Sequence, residues 1–217
     1  MSAQVLFLDS ADLDDVRAAA GSGIVAGVTT NPILVHSAAA GQDPLTHLAA
    51  VMEAFPHGPV FLQLHARDAD TALVQAAAAR RQLEHQDRIV FKLPAQSWWY
   101  GVGARLRADG CQVAITAVYT PGQVLAAVQC GASWVIPYVD RARRLRPGAP
   151  ALVTDLAAAA AGRVGILAAS VKSPQQAVEA ITAGASAVTA SWPVLASLMS
   201  DELTDTAVEE FHAAVST

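Results

Sequence analysis

The chain has 217 residues, of which 53% are hydrophobic and 15% are charged. This composition supplies enough apolar side chain for a large buried core and argues against an intrinsically disordered chain, and the length predicts a single domain over residues 1–217. The formal net charge of −5 argues against a nucleic-acid partner, because binding to a phosphate backbone usually needs a basic face.

The sequence shows no sign of membrane insertion or secretion. No segment approaches the ~18 unbroken apolar residues of a membrane span, and the first residues lack a basic start followed by an apolar stretch. Cys111 and Cys130 lie in apolar runs, and their spacing matches no zinc or redox motif, so we interpret both as small core residues. We therefore expect a cytoplasmic protein that does not contact membranes.

Short apolar runs rich in Val, Ile, Leu and Phe alternate with Ala-rich helical patterns, which is typical of βαβ units. In chain order we predict strand 4–8, helix 11–20, strand 24–29, helix 44–55, strand 59–64, helix 68–84, strand 88–93, helix 98–109, strand 111–116, helix 121–130, strand 133–138, helix 151–161, strand 165–169, helix 174–184, strand 186–190 and helix 193–199. Two connections, 36–43 and 139–149, are long. A further amphipathic helix at 204–214 could cap the core or pack on a neighbouring subunit.

Residues at the helix ends support this order. Ser10 is the predicted N-cap of the first helix. Three other caps stand directly before a proline, the usual arrangement at a helix start: Asp43, Thr120 and Ser173. Glycines follow the ends of three helices, as expected for a C′ residue: Gly110, Gly131 and Gly184.

Eight strands with helices between them can close as a barrel or form an open sheet. An open sheet of this class usually carries a glycine-rich phosphate loop, and neither GxGxxG nor a P-loop occurs in this sequence. The length is near the lower end for a complete barrel. We therefore predict an α/β fold, a single (β/α)8 TIM barrel with an additional C-terminal helix.

Polar residues end most of the predicted strands. In a β/α barrel the active site lies at the carboxyl ends of the strands, so these residues are the candidate functional groups. Seven of the eight strand ends contribute them: Asp9, Thr29 with Asn31, Gln63, Lys92, Thr116, Tyr138 and Ser170.

Lysine is rare in this chain, and its placement is informative. The chain has 14 basic residues, but only Lys92 and Lys172 are lysines, and both follow strands on the predicted catalytic face. Arginine cannot replace a lysine whose amine must lose its proton and attack a carbonyl. Because Lys92 lies within the apolar stretch IVFKLP, desolvation should lower its pKa, which favours a nucleophile over a structural ion-pair member.

Lys172 has a different predicted role. It precedes the helix start at Ser173, where barrel enzymes commonly hold a phosphate on loop amides and a helix N-terminus. Anion binding or simple solvation are the two interpretations of this side chain.

The stretch GVTTNP, from Gly27 to Pro32, resembles the signature of the transaldolases and their relatives. The resemblance continues along essentially the whole chain in the order expected of strand ends, through LDSAD at 8–12, VFKLP at 90–94, TAVYTPGQ at 116–123, PYVDR at 137–141 and LAASVKSPQQ at 167–176. The resemblance implies a class I aldolase whose Schiff base forms on Lys92, with no metal or organic cofactor.

Two activities compete within this family. Transaldolases transfer a dihydroxyacetone unit between sugar phosphates, whereas fructose-6-phosphate aldolases release free dihydroxyacetone and glyceraldehyde 3-phosphate. The aldolase branch resembles this chain in having glutamine and tyrosine at the positions of Gln63 and Tyr138, where transaldolases tend to have glutamate and phenylalanine. We therefore expect the aldolase, with transaldolase as the alternative. A barrel that only binds a phosphosugar is the alternative from another class.

The resemblance also implies roles for the other strand-end residues. Gln63, Thr116 and Tyr138 would hold a proton-shuttling water, with the Tyr138 hydroxyl as the acid/base group. Hydroxyls of the three-carbon unit would bind to Asp9, Thr29 and Asn31, with Asp9 assisting proton transfer. The phosphate would bind to Arg141 and Ser170, with Lys172 as a further candidate ligand.

Two features of the chain depart from the family pattern. Trp98 and Trp99 follow the lysine strand, where they could either narrow the acceptor side or pack on the barrel wall. Asp140 stands where a neutral residue is expected. Relatives form pentamers or pairs of pentamers, so the resemblance implies a homo-oligomer.

Overall fold

The computed structural model describes residues 5–146 and 151–215. Within them, eight parallel strands close into a barrel in chain order, with the first strand hydrogen-bonded to the last. This is the predicted (β/α)8 TIM barrel. The strands are β1 (Leu6–Asp9), β2 (Gly27–Thr29), β3 (Val60–Gln63), β4 (Ile89–Pro94), β5 (Gln112–Val118), β6 (Trp134–Pro137), β7 (Gly165–Val171) and β8 (Ala187–Ala190).

All eight predicted strands correspond to observed ones, with shifted bounds. Residue 4 of the first predicted strand lies outside the described residues. The second strand begins three residues later than predicted, at Gly27, because the apolar run starts with Ile24, which is 40% exposed. Two strands run two residues further than predicted, β5 to Val118 and β7 to Val171, because a bulge in each adds residues.

Helices surround the barrel: α1 (Leu13–Ser22), α2 (Pro32–Ala39), α3 (Pro44–Ala54), α4 (Ala69–Gln82), α5 (Ser97–Ala108), α6 (Pro121–Gln129), α7 (Val139–Leu145), α8 (Leu152–Ala160), α9 (Pro174–Thr182), α10 (Trp192–Ser197) and α11 (Glu202–Val215). Two of them, α2 and α7, occupy segments predicted as connections. In α7 only Ala142 is buried, so its arginine-rich sequence lacks the apolar repeat that predicts a helix. Residues 147–149 of that predicted connection lie outside the described residues.

Three of the four predicted N-caps are confirmed. The Asp43, Thr120 and Ser173 side chains each accept a hydrogen bond from a backbone amide in the first turn of the helix that follows. The prediction for Ser10 is wrong: the first helix starts at Leu13, and Asp12 caps it by accepting from the amides of Asp14 and Asp15. Three glycines adopt positive φ directly after helix ends, as predicted: Gly110, Gly131 and Gly184.

Three aromatic rings fill the amino-terminal part of the barrel interior. Phe7 contacts Phe61 and Trp134 in T-shaped arrangements, with ring centroids 5.8 and 5.9 Å apart. Glycines on neighbouring strands make room for these rings. A Cβ at Gly27 would lie 2.9 Å from the Phe7 ring, and one at Gly165 would lie 2.7 Å from the Trp134 ring. The interior is therefore a packed floor rather than a channel.

Helix α11 lies outside the barrel core and buries none of its residues. Its apolar side chains are exposed, with Leu203 at 79%, Phe211 at 67% and Val215 at 84% of their surface. A helix that capped the barrel would bury such side chains, so the structure does not support a cap. Among the described helices, none is both long and apolar enough to cross a lipid bilayer.

Candidate active site

The candidate site is a layer of polar side chains directly above the apolar floor. Side chains alternate along each strand, so the residue two positions after an inward-facing floor residue also faces inward. The floor contains Phe7, Phe61, Val90, Ala114, Ile136 and Ala187. Two positions later, the same strands or their carboxyl ends carry Asp9, Gln63, Lys92, Thr116, Tyr138 and Thr189, and Thr29 follows Gly27 in the same way.

Lys92 supplies the buried amine of this layer. Its side chain is 3% exposed, and Nζ donates a hydrogen bond of 2.7 Å to the carbonyl oxygen of Thr30. Among the described residues no carboxylate forms an ion pair with it. Burial lowers the pKa of the Lys92 amine, and the negative charge of Asp9 opposes that shift only in part.

Thr30 is held so that its carbonyl oxygen faces the lysine. Its backbone amide and its hydroxyl both donate to the carbonyl oxygen of Phe61, at 3.0 and 2.8 Å. Two hydrogen bonds to one acceptor fix the residue that follows β2. The acceptor for Lys92 is therefore a rigid backbone group at the end of β2, which is separated from β4 by β3.

Asp9, Thr29 and Thr189 form a hydrogen-bonded chain across three adjacent strands. The Thr29 hydroxyl donates to Asp9 Oδ1 at 2.9 Å, and it lies 2.7 Å from the Thr189 hydroxyl. A hydroxyl has only one proton, so with Thr29 donating to Asp9, Thr189 must donate to Thr29. This chain orients the Asp9 carboxylate at the edge of the layer.

Gln63 lies beside the lysine. It pairs with Lys92 in the register of β3 and β4, so the two side chains project from adjacent positions. Its Oε1 is buried and accepts no hydrogen bond within the described residues. Buried acceptors are normally satisfied, which makes this oxygen a candidate partner for a substrate hydroxyl or a bound water.

Thr116 and Tyr138 meet at the ends of β5 and β6, on the other side of Lys92 from Gln63. The Thr116 hydroxyl donates to the Tyr138 hydroxyl at 3.3 Å. Burial raises the pKa of the Tyr138 phenol, and the hydrogen bond from Thr116 opposes that shift. The phenol therefore keeps its proton at neutral pH and can donate it to a reacting group.

Bulges flank Tyr138 on both sides. The register of β5 shifts between Thr116 and Val118, and Ala117 has a φ of 59°. The register of β7 shifts after Ala168, and Ser170 has a φ of 60°. Left-handed conformations are unfavourable for residues with a Cβ, and they cluster at functional sites. Ser170 is half-buried and therefore lies off the regular alternation of β7.

The two predicted phosphate ligands other than Ser170 lie at the rim. The Arg141 guanidinium stacks over the Tyr138 ring, 5.0 Å from its centroid. Lys172 is exposed, and its backbone amide donates to Gln176 Oε1 at 2.9 Å. The same Gln176 donates through Nε2 to Asp140 Oδ1 at 3.4 Å. This hydrogen bond links the first turn of α7 to the first turn of α9.

Asp140, the unexpected acidic residue, is already compensated. Its Oδ2 accepts a hydrogen bond of 2.9 Å from Arg144 Nε. That bond, together with the one from Gln176 and the nearby charge of Lys172, lowers the pKa of the Asp140 carboxyl. The carboxylate therefore joins two helices at the rim instead of presenting a free negative charge to a ligand.

Asn31 has a structural role that the sequence analysis did not assign. Its Oδ1 accepts from the amides of Ile33 and Leu34 and so caps α2. Only its amide nitrogen remains to donate to a sugar hydroxyl. Beside Asn31, a largely apolar pocket of about 760 Å³ opens between α2, α3 and α4 and reaches Thr30 and Gln63.

Trp98 and Trp99 stack on each other, with centroids 4.2 Å apart and an interplanar angle of 23°. Trp99 is 1% exposed, and Trp98 is half-buried against the apolar layer between barrel and helices. Of the two predicted alternatives, the structure therefore supports packing on the barrel wall.

Residues 6–217 match the sequence model of the family described as Transaldolase/Fructose-6-phosphate aldolase. The chain belongs to the transaldolase/fructose-6-phosphate aldolase family. A protein of Symbiobacterium thermophilum named "Probable transaldolase" is 34% identical to it over 95% of this chain and 94% of the relative. A Thermus thermophilus protein of the same name is 32% identical, over 95% of each chain.

A solved structure of a mandelate oxidase shares the barrel fold with this member of the transaldolase/fructose-6-phosphate aldolase family. The TM-score is 0.61 at 17% identity, and the match covers 87% of this chain and 65% of the oxidase. At this identity the similarity concerns the fold alone.

The transaldolase/fructose-6-phosphate aldolase barrel has two site groups that sequence reasoning missed. Thr189 escaped notice because β8 ends in alanine, although counting two positions from Ala187 would have found it. The Thr30 carbonyl carries no side-chain signal and could not have been found. In the described part of the chain, no three His, Cys, Asp or Glu side chains converge as a metal site would require.

Proposed function

We propose that this chain is a class I aldolase that forms a Schiff base between Lys92 and a small keto sugar. One observation supports this proposal most strongly, namely that the Lys92 amine is buried beside polar side chains and pairs with a carbonyl rather than a carboxylate. A carbonyl oxygen accepts a hydrogen bond from a neutral amine, so Lys92 can remain bound there after it loses its proton. The proposed reaction is reversible cleavage of fructose 6-phosphate to dihydroxyacetone and glyceraldehyde 3-phosphate.

In the proposed reaction, the lone pair of Lys92 Nζ attacks the ketone carbon, and the resulting carbinolamine loses water to give an iminium ion. A base removes the proton of the C4 hydroxyl, and the C3–C4 bond breaks. Its electron pair flows into the iminium, which leaves an enamine on Lys92 and releases the aldehyde. Protonation of the enamine at C3 and hydrolysis then return the free amine and dihydroxyacetone.

The polar layer offers groups for each proton transfer. The protonated Tyr138 phenol, with Thr116 and the unpartnered Oε1 of Gln63, would hold the water that gives and takes protons. Asp9, fixed by the hydrogen bond from Thr29, would bond the sugar hydroxyls and assist at the bond that breaks. Thr29 itself and the Asn31 amide nitrogen would complete the binding of the three-carbon unit.

The phosphate of the aldehyde product would bind at the rim. Arg141 suits phosphate oxygens because its guanidinium can donate two parallel hydrogen bonds. Ser170 and the Lys172 side chain lie on the segment that leads into α9, where helix amides also favour an anion. This arrangement would hold the phosphate away from the buried lysine.

Transaldolase activity is the second candidate. The names of the Symbiobacterium and Thermus relatives favour it, whereas Gln63 and Tyr138 favour the aldolase through the resemblance to that branch. The two activities share every step up to the enamine. They differ in what the enamine carbon attacks next: a proton, after which water hydrolyses the iminium, or the carbonyl carbon of an acceptor aldehyde.

The deciding experiment combines imine trapping with an acceptor assay. Borohydride reduction with dihydroxyacetone should modify Lys92 in the wild type, and a Lys92→Met variant should remain unmodified as the control. In a separate assay, the untreated wild-type enzyme should release free dihydroxyacetone from fructose 6-phosphate without any acceptor. Release only as a transferred unit, on addition of erythrose 4-phosphate, would establish the transaldolase instead. An unmodified wild-type Lys92 in folded protein would favour a barrel that only binds phosphosugars.

The proposed enzyme is also defined by its cofactor requirement, its cellular setting and its assembly. It requires no metal or organic cofactor, because the amine itself supplies the electron sink as an iminium. The proposed setting is the cytoplasm, and the proposed form is a homo-oligomer of single-domain subunits. The substrate partners are a sugar phosphate and dihydroxyacetone.

A further inference from the structure

Two tyrosine rings and two arginines form a continuous row along the rim. The rings of Tyr119 and Tyr138 meet at 81°, with their centroids 6.3 Å apart. The Arg141 guanidinium lies over the Tyr138 ring, and the Arg146 guanidinium lies over the Tyr119 ring, 5.7 Å from its centroid. Each contact is of a type that favours one relative orientation.

Helix α7 spans the distance between the two tyrosine rings. Tyr138 is its N-cap residue and Arg146 is its C-cap residue, so the helix begins at one tyrosine and ends over the other. Arg146 Nη1 also donates to the Tyr119 carbonyl oxygen, at 3.5 Å. On its other side, the Tyr119 amide donates to Gln123 Oε1 at 2.8 Å, within the capping box of α6. The backbone of Tyr119 is thus tied to both α6 and α7.

The Tyr138 hydroxyl alone cannot fix its ring. Its hydrogen bond from Thr116 is 3.3 Å long, beyond the usual range of about 2.5–3.0 Å for two hydroxyls. The backbone of Tyr138 also lies just past the end of β6 and keeps a single bridge, to Ala169. The orientation of the phenol must therefore depend largely on the groups that pack on the ring.

We propose that Arg146 is a positioning residue for Tyr138 and acts through the Tyr119 ring. This inference rests on the proposed function, in which the Tyr138 phenol is the acid/base group. Arg146 holds Tyr119 by its cation–π contact, to which the long hydrogen bond to the Tyr119 carbonyl adds little, and Tyr119 in turn supports the Tyr138 ring. Loss of Arg146 would let both rings sample other orientations, which lowers the fraction of enzyme whose phenol is aligned with the substrate.

A direct role for Arg146 in phosphate binding makes a different prediction. A phosphate ligand changes the KM of phosphorylated substrates alone, whereas a group that aligns the phenol changes kcat for every substrate. Aldol formation from dihydroxyacetone can be measured with glyceraldehyde 3-phosphate and with unphosphorylated glyceraldehyde. Comparison of the two acceptors separates the two roles.

The test variant is Arg146→Met, which keeps an unbranched apolar stem and removes the guanidinium. Arg143→Met is the matched control, because Arg143 lies on the same helix and its one polar side-chain contact to the described residues is an exposed ion pair of 3.7 Å to Glu179. We expect kcat of Arg146→Met to fall about fivefold with both acceptors, as loss of one partly exposed cation–π contact would allow. KM should stay near the wild-type value, and Arg143→Met should match the wild type.

A double variant shows whether the effect passes through Tyr138. In a Tyr138→Phe background, Arg146→Met should cause no further loss of kcat, because the group that it aligns is gone. A further fivefold fall there, a rise in KM confined to glyceraldehyde 3-phosphate, or an Arg146→Met enzyme equal to the wild type would each overturn the inference. Lys92 trapping should be unchanged in Arg146→Met. Failure of trapping in the wild type would instead refute the proposed function.

Discussion

The Lys92 amine donates its hydrogen bond to the carbonyl oxygen of Thr30, at 2.7 Å, and not to an acidic side chain. A carboxylate at this distance would hold the proton on the amine, because opposite charges stabilise one another strongly in a buried setting. A carbonyl oxygen carries no net charge and stabilises the protonated amine much less. The pairing therefore leaves desolvation as the dominant influence, and burial lowers the pKa of the lysine.

Lys92→Met should stabilise the folded protein. The substitution keeps the unbranched stem and removes a buried amine that lacks a charged partner. We expect thermal unfolding to show a rise in Tm of about 2–4 °C, which corresponds to about 1 kcal/mol in a chain of this size. Lys172→Met is the control, and because Lys172 is exposed its Tm should equal that of the wild type. A lower Tm for Lys92→Met would mean that the amine stabilises the barrel.

The rate of imine trapping should depend on pH through Lys92. The neutral amine is the nucleophile, so the rate of borohydride trapping with dihydroxyacetone should rise with pH and level off above the pKa of Lys92. Because burial lowers that pKa, the midpoint should lie clearly below the ordinary lysine value of about 10.4. A midpoint at the ordinary value would indicate that Lys92 is solvated and contradict the burial argument.

Stability should depend on pH through the same group. Between the lowered pKa of folded Lys92 and its ordinary pKa, the unfolded chain binds more protons than the folded one, so the free energy of unfolding rises with pH. Above its ordinary pKa, Lys92 is neutral in both the folded and the unfolded chain, so the two states bind equal numbers of protons at this group and the free energy of unfolding stops rising through it. Denaturant titrations at several pH values should show this rise in the wild type and a smaller one in Lys92→Met.

Tyr138→Phe should separate imine formation from bond cleavage. The substitution removes the hydroxyl and keeps the ring between Arg141 and Tyr119. Loss of a general acid/base group should lower kcat for aldol cleavage by about 10²-fold or more, whereas Lys92 should still be trapped with dihydroxyacetone. Full cleavage activity in this variant would remove Tyr138 from the proposed mechanism.

The exposed apolar face of α11 should be buried against a second copy of the chain. Light scattering of the purified protein should give the mass of an oligomer, because a contiguous apolar helix face is unfavourable in water. Phe211→Asp should shift the protein towards smaller species, since Phe211 is 67% exposed and a charge there is costly to bury. The control Glu209→Gln lies on the same helix and should leave the mass unchanged. A monomeric wild type would contradict this expectation.

Most of the barrel could be predicted because its signals are local. Asp43 and Thr120 cap helices through contacts within four residues, and strand periodicity depends only on adjacent positions. The Ser10 prediction failed because Asp12, two positions later, is an equally good cap. Ser10 accepts only from the amide of Asp12 in the described residues, whereas Asp12 accepts from the amides of Asp14 and Asp15 in the first turn. Helix α2 was missed although the Asn31 cap and Pro32 give the same signal that correctly identified the helix after Asp43.

The site could be predicted only as a set of side chains. Strand ends identify Lys92, Gln63 and Tyr138, but partners that depend on barrel closure have no local signature. The hydrogen bond between Thr29 and Thr189 joins residues 160 positions apart, and it exists because β1 lies between β2 and β8. The stacking of Arg146 on Tyr119 depends in the same way on a helix that the sequence pattern did not indicate.

The spacing of two residues between floor and polar layer also limits how this barrel can evolve. A single-residue deletion at the start of β4, at Ile89, would turn both Val90 and Lys92 away from the interior, removing a core contact and a functional group together. A point substitution in the layer changes one side chain, whereas a change of strand length reorients every side chain that follows it in the strand. The two bulges respect this limit, because the extra residue at Ala117 comes after Thr116 and leaves its orientation intact. Descendants of this sequence should therefore vary in length in the loops, while each strand keeps the same number of residues between the apolar floor and the polar layer.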